Sequence, residues 1–164
     1  NTQDVSSSFH ITEGGRELTI SAATGKDFWA RTFYNPVLIK ADAPALLAEV
    51  PCMQEATIEV SFTLQPVEQF DQAGILVYVD DDTWVKAGIE YCDGHPRLSC
   101  VVTNNGFSDW STQKIDSCMA QIRVHKLLPG SEQGPALVME VAAVMNAASQ
   151  SPAKKSKVED WVPV

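Results

Sequence analysis

The sequence predicts an all-β protein built as an antiparallel β-sandwich, and three observations carry that prediction. Apolar residues alternate every second position along most of the chain, while few windows repeat them at the i, i+3, i+4 and i+7 spacing of a helix. Between Asp71 and Gln113 the turn chemistry is explicit: Asp80-Asp81-Asp82-Thr83, Asp93-Gly94 and Asn104-Asn105-Gly106 each separate β-rich runs, which makes a meander of consecutive antiparallel strands. The 164 residues are 45% hydrophobic, enough to fill one core, and no linker rich in Gly, Pro or Ser divides them, so residues 1–164 read as a single β-sandwich domain.

Strands are predicted over 18–22, 37–40, 56–64, 73–79, 84–91, 96–103, 108–114, 120–126 and 136–144. The segment 136–148 is the one helical candidate, because its Ala, Met, Val and Glu suit a helix as well as a strand; a strand is the expectation. Residues 149–157 are polar, with Pro152 and three lysines, and read as a solvated loop before an apolar tail, 158–164, that closes a sheet.

Twelve basic against 21 acidic residues give a net charge of -9, so the average field repels phosphate backbones and anionic headgroups. Neither nucleic acid nor a membrane surface is therefore expected as a partner. No apolar run reaches the roughly 20 residues of a membrane span, and Asn1 to Ser8 lack the basic-then-apolar layout of a secretory leader. Cys52, Cys92, Cys100 and Cys118 are dispersed, with no C-x-x-C pair, so free thiols and a reducing, cytoplasmic setting are expected.

Register in the meander follows from Asp93-Gly94, because a two-residue turn pairs Cys92 with His95 and fixes every pair beyond it. Glu90 then faces Arg97, Gly88 faces Ser99 and Lys86 faces Val101, while Ile89 with Leu98, Ala87 with Cys100 and Val85 with Val102 take the opposite, dry face. If Asn105-Gly106 is also a two-residue turn, Trp110 joins Lys86 on the mixed face; a three-residue loop would bury Trp110 and turn Asp109 outward.

The mixed face gathers Trp84, Lys86, Glu90, Arg97, Ser99 and Trp110, with Gly88 leaving a notch for a flat ligand. Aromatic rings supply contact area and charged or hydroxyl groups orient a polar ligand, so these six are the candidate ligand-binding residues. A plain solvated face with Glu90 and Arg97 as a cross-strand pair competes with that reading.

Asp80-Asp81-Asp82 could ligate calcium, but lacks EF-hand spacing and reads as a turn, and Asp71 reads as a corner residue. His10, His95 and His125 are scattered, and no G-x-S-x-G, Walker loop or H-E-x-x-H motif occurs. Glu55 and Glu59 share a strand face without a third carboxylate or nearby Trp, and the alternating carboxylate pattern of sandwich glucanases is missing. No catalytic residue, metal or cofactor is therefore assigned.

Longer words of the sequence add a family resemblance. Lys26-Asp27-Phe28-Trp29 with Arg31-Thr32-Phe33-Tyr34, Phe70-Asp71-Gln72-Ala73-Gly74-Ile75, and Trp84-Val85-Lys86-Ala87-Gly88-Ile89-Glu90-Tyr91 come in order. Asp93-Gly94-His95-Pro96-Arg97-Leu98-Ser99, Val101-Val102-Thr103-Asn104 and Ser108-Asp109-Trp110-Ser111-Thr112 follow them. The chain resembles the poorly characterised family of the yeast regulation of enolase protein. That resemblance implies a concanavalin A-like lectin/glucanase jelly roll, whose concave sheet is where related proteins hold sugars. Fold likeness alone assigns no function. The expectation is a non-enzymatic domain binding a carbohydrate-like ligand on the mixed face. The alternatives are a protein-interaction or regulatory module linked to a metabolic enzyme, and a divergent glycoside hydrolase that would pair Glu90 with another carboxylate such as Asp109.

Overall fold

The structure is a computed structural model that describes residues 6–132, 134–142 and 161–163. The described residues form twelve strands and no helix: β1 (Ser8–Ile11), β2 (Leu18–Ser21), β3 (Phe28–Ala30), β4 (Ile39–Ala41), β5 (Ala56–Thr63), β6 (Gln72–Asp80), β7 (Thr83–Cys92), β8 (His95–Asn104), β9 (Phe107–Lys114), β10 (Met119–Leu127), β11 (Ala136–Ala142) and β12 (Trp161–Pro163). One sheet is the meander β6-β7-β8-β9, the second runs β12-β11-β10-β5, and β1-β2 and β3-β4 are separate two-stranded ribbons. All pairings are antiparallel.

The all-β, antiparallel sandwich expected from the alternation is what forms. β1 and β3 lie outside the predicted strands, since runs of four and three residues are too short to display a period. Segment 136–142 takes the strand alternative, because Ala136 to Val141 pair one for one with Leu127 back to Ile122 of β10; residues 143–148 and the loop 149–157 lie outside the described residues. The tail closes the second sheet as expected, with Val162 opposite Val141.

The β7-β8 and β8-β9 turns are both the two-residue kind. Asp93 and Gly94 sit at φ 54° and 77°, Asn105 and Gly106 at 52° and 73°, the left-handed pair that matches the twist of antiparallel strands. Glu90 consequently faces Arg97, Ile89 faces Leu98, and Trp110 faces Val101. Gly74 and Gly88 face each other across β6 and β7. A Cβ on Gly88 would lie 2.0 Å from the Ala73 carbonyl oxygen, so the glycines are required by the close approach of the two backbones.

The dry face of the meander packs on the second sheet. Ile75, Ala87, Ile89 and Leu98 meet Ala120, Ile122, Val124 and Met139 in one sealed cluster, flanked by Val60, Phe62, Val77, Val85 and Cys100. β10 shows the alternation in pure form: Ala120, Ile122 and Val124 point in, while Gln121, Arg123 and His125 point out to cross-strand partners Glu59, Thr57 and Glu140. Val102, expected among the sealed residues, is 46% exposed, because it stands near the β9-side turn, beyond the reach of the sealed cluster.

Ile89 is 0% exposed at the centre of this interface. Ile89→Ala is expected to lower unfolding stability by about 2–5 kcal/mol, against less than about 1 kcal/mol for the exposed Val102→Ala. Urea titration reads both, as a fall in midpoint at unchanged slope.

Candidate functional site

The other face of the meander carries Trp84, Lys86, Gly88 and Glu90 from β7, Arg97, Ser99, Val101 and Thr103 from β8, and Ser108, Trp110, Thr112 and Lys114 from β9, all on one side by the pairing register. The six predicted site residues thus share a face. That face is not an open platform, however, because the chain itself covers much of it. Trp84 is only 1% exposed, with the Phe28 ring edge-on at 5.7 Å. Gly88 is buried as well, so it offers no notch to a ligand.

The cover is the segment from Asp27 to Asp42, folded as the β3-β4 ribbon. Asp27 Oδ1 accepts hydrogen bonds from Lys86 Nζ at 2.8 Å and Gln72 Nε2 at 2.9 Å, spanning β6 and β7. Its neighbour strand returns the support: the Asp42 carboxylate accepts from the Asp27 backbone N–H and from Lys26 Nζ, each at 3.1 Å. Those donors, the backbone N–H first, hold the Asp42 carboxyl below its ordinary range. Farther along, the Ala30 N–H donates to Ser108 Oγ at 2.9 Å and Arg31 Nη1 to the Gly106 carbonyl at 2.7 Å. Lys86 is therefore committed to Asp27 instead of reaching into solvent.

Farther along the same face, Glu90, Ser99 and Trp110 form a closed triangle. Ser99 Oγ donates to Glu90 Oε2 at 2.7 Å, and the Trp110 indole N–H reaches both Glu90 Oε2 at 3.0 Å and Ser99 Oγ at 2.9 Å. Glu90 is 6% exposed although it is a carboxylate, and Trp110 remains 38% exposed. The indole is thus anchored by its polar edge with part of its ring in solvent, a geometry suited to stacking. Phe70 meets it edge-on at 6.4 Å. Tyr34, in the loop between β3 and β4, stands near enough to Asp27 and Glu90 for burial first, and those two negative charges next, to push its hydroxyl up. Burial likewise pushes the Glu90 carboxyl up, outweighing the Ser99 hydrogen bond and the Lys86 charge that oppose it.

The cross-strand ion pair expected between Glu90 and Arg97 is not made. The Glu90 carboxylate turns to Ser99 and Trp110, while Arg97 Nη2 lies 3.6 Å from Asp93 Oδ2. Arg97 Nε is buried without a hydrogen-bond partner among the described residues, a cost that is larger for a charged group than for a neutral one. Asp109 faces Val102 and so lies on the side of the sheet opposite Glu90, which separates the two carboxylates once considered together for glycoside hydrolysis. The acidic loops are structural: the Asp82 N–H donates to Asp80 Oδ1 at 3.0 Å, and Asp71 Oδ2 accepts the N–H groups of Val67 and Glu68 at 2.8 and 2.9 Å.

Asp27, Phe28, Tyr34, Phe70 and Gln72 surround the predicted residues but were not among them. All five stand inside the words that carry the family resemblance, and that was the only signal available for them.

Comparison with known proteins adds the following. Residues 6–141 match the family described as a protein of unknown function, DUF1349. Regulation of enolase protein 1 of Saccharomyces cerevisiae is 41% identical over 100 residues, which are 61% of this chain and 48% of that protein. Uncharacterized protein AN7484 of Emericella nidulans is 30% identical over 105 residues, 62% of this chain and 50% of that protein. The chain spans about half the length of these curated relatives. A crystal structure of a functionally unknown protein from Saccharomyces cerevisiae superposes with a TM-score of 0.59 at 30% identity, over 85% of this chain and 63% of that one.

The raised Glu90 carboxyl has a consequence for stability with a definite sign. A carboxyl that holds its proton more tightly folded than unfolded makes the folded state lose stability as pH rises from the unfolded value, about 4.3, through the higher folded value. The stability of the parent relative to Glu90→Gln is therefore expected to fall across that window and to level off above it. Paired urea titrations over a pH series check this; a difference that is flat or rises with pH contradicts it.

Proposed function

The chain belongs to the DUF1349 family of unknown function, and we propose that it is a non-enzymatic binding module whose ligand is a polar ring of the carbohydrate type, held where the Trp110 indole of the meander meets solvent. The supporting observation is the Trp110 indole, fastened by its N–H to a buried carboxylate and a serine hydroxyl while part of its ring stays in solvent. A sugar presents an apolar face for such a ring and hydroxyl edges for the polar groups beside it. Glu90 has only Oε2 engaged among the described residues, which leaves Oε1 as an acceptor for a ligand hydroxyl. Tyr34 and Phe70 supply further aromatic surface. Of the six residues, Trp84 and Lys86 act beneath the cover, Trp84 by packing on Phe28 and Lys86 by holding Asp27; Trp110 and Arg97 are the ones with surface to offer a ligand, and Glu90 and Ser99, each 6% exposed, anchor the indole from behind.

A second reading, a module that meets a partner protein, is favoured by the loop after β3, where Phe33 is 90% exposed in a left-handed backbone at φ 74°. A bulky residue held in that conformation at the surface marks a loop shaped for something other than stability.

Amide and indole NMR spectra recorded against a panel of neutral mono- and oligosaccharides test the first reading. Shifts are expected at the Trp110 indole N–H and at Ser99, with Trp110→Ala weakening binding roughly tenfold, about 1.4 kcal/mol, and Asp109→Ala on the opposite face leaving it unchanged. Silence at Trp110 across the panel, with shifts confined to Phe33 and Tyr34 when a protein partner is added, would favour the second.

A further inference from the structure

Arg97 stands out among the described cations by a buried guanidinium nitrogen without a partner. Lys26, Lys86 and Arg123 lie 3.1, 2.8 and 2.7 Å from carboxylates, and Lys126 Nζ donates to the carbonyls of Pro51, Cys52 and Gln54. The Arg97 guanidinium has no hydrogen bond among the described residues: its Nε is buried facing no acceptor, and its nearest carboxylate oxygen, on the 70% exposed side chain of Asp93, is 3.6 Å away. Lys114 is its register partner on β9, exposed on the same face and in no ion pair among the described residues. Glu90, Arg97 and Lys114 therefore make one row across three strands, directly beside the row that holds Ser99. That row sets two cations beside Glu90, and the exposed Asp93 carboxylate next to Arg97 is their remaining counter-charge.

A neutral ligand on Trp110 would leave these two cations as they are. An oxyanion would satisfy them, since the planar guanidinium fork matches carboxylate and phosphate oxygens and a neighbouring ammonium adds a point charge. We propose that the ligand is acidic: a sugar or similar ring bearing a carboxylate or phosphate, its ring on Trp110 and its oxyanion on Arg97 with help from Lys114. This rests on the binding-module reading above and adds the chemical class of the ligand. The Asp93 carboxylate is the internal competitor that the ligand anion displaces, and its exposure makes that exchange an easy one.

The test uses the full chain titrated with glucose, glucuronate, glucose 6-phosphate and inorganic phosphate, read by NMR at the Trp110 indole and by calorimetry. At least one acidic sugar is expected to bind about tenfold tighter than glucose, with an advantage that shrinks as salt is raised. The arm that wins tells carboxylate from phosphate. Arg97→Gln should abolish the advantage of the acidic sugar over glucose, and Arg97→Lys, which keeps the charge but not the fork, should retain part of it. Equal binding of glucose and both acidic sugars, with Trp110 responding, overturns the inference and leaves the binding module standing. Inorganic phosphate matching glucose 6-phosphate without moving the Trp110 signal also overturns it. No response of Trp110 to any sugar removes the module itself and this inference with it.

Discussion

Two tight turns set the destination of every side chain in β7, β8 and β9. Because Asp93-Gly94 and Asn105-Gly106 both adopt left-handed backbone, β7, β8 and β9 are locked in a register in which a slip of one residue would exchange the buried and outer faces. Ile89 and Leu98 are then committed to the second sheet, and Glu90, Arg97, Ser99 and Trp110 to the opposite side. Sheet-on-sheet packing needs only one face of each sheet, so the chain is free to use the other for polar chemistry.

What becomes of that second face depends on the β3-β4 ribbon. The Asp27 carboxylate, bonded to Lys86 and Gln72, and the Ala30 and Arg31 contacts at the β8-β9 end lay the ribbon over Trp84 and Val101. These contacts turn a two-sided sheet into a three-layered local arrangement. Beside it the Glu90, Ser99 and Trp110 triangle lies in a desolvated setting, where hydrogen bonds gain strength and an unpaired group is costly. Burial and hydrogen bonding act against each other at Glu90, and burial prevails. The family membership and the yeast likeness place the chain among proteins of unknown function, so the chemistry of this end is the most direct guide to a role.

Much of this was legible in the linear chain because its causes are local. Turn residues sit between alternating runs, a two-residue turn fixes pair identities by counting, and alternation assigns faces; hence the strands of the meander, its register, the position of Trp110 and the dry cluster around Ile89 could be read directly. The short strands β1 and β3 escaped notice because a period needs more than three or four residues to show itself.

The sequence by itself determined which side chains share a face; only the tertiary structure decided which of them meet solvent. Alternation reports the two sides of a strand but is blind to a segment that returns from nearly sixty residues away, as Asp27 does to Lys86. So Trp84 and Gly88, read as an open ring and a notch, are buried under Phe28 and its neighbours, and the Glu90 carboxylate pairs with Ser99 and Trp110 instead of Arg97. Coverage and partner choice are set by contacts between distant parts of the chain competing for the same surface, and no local pattern records the outcome of that competition.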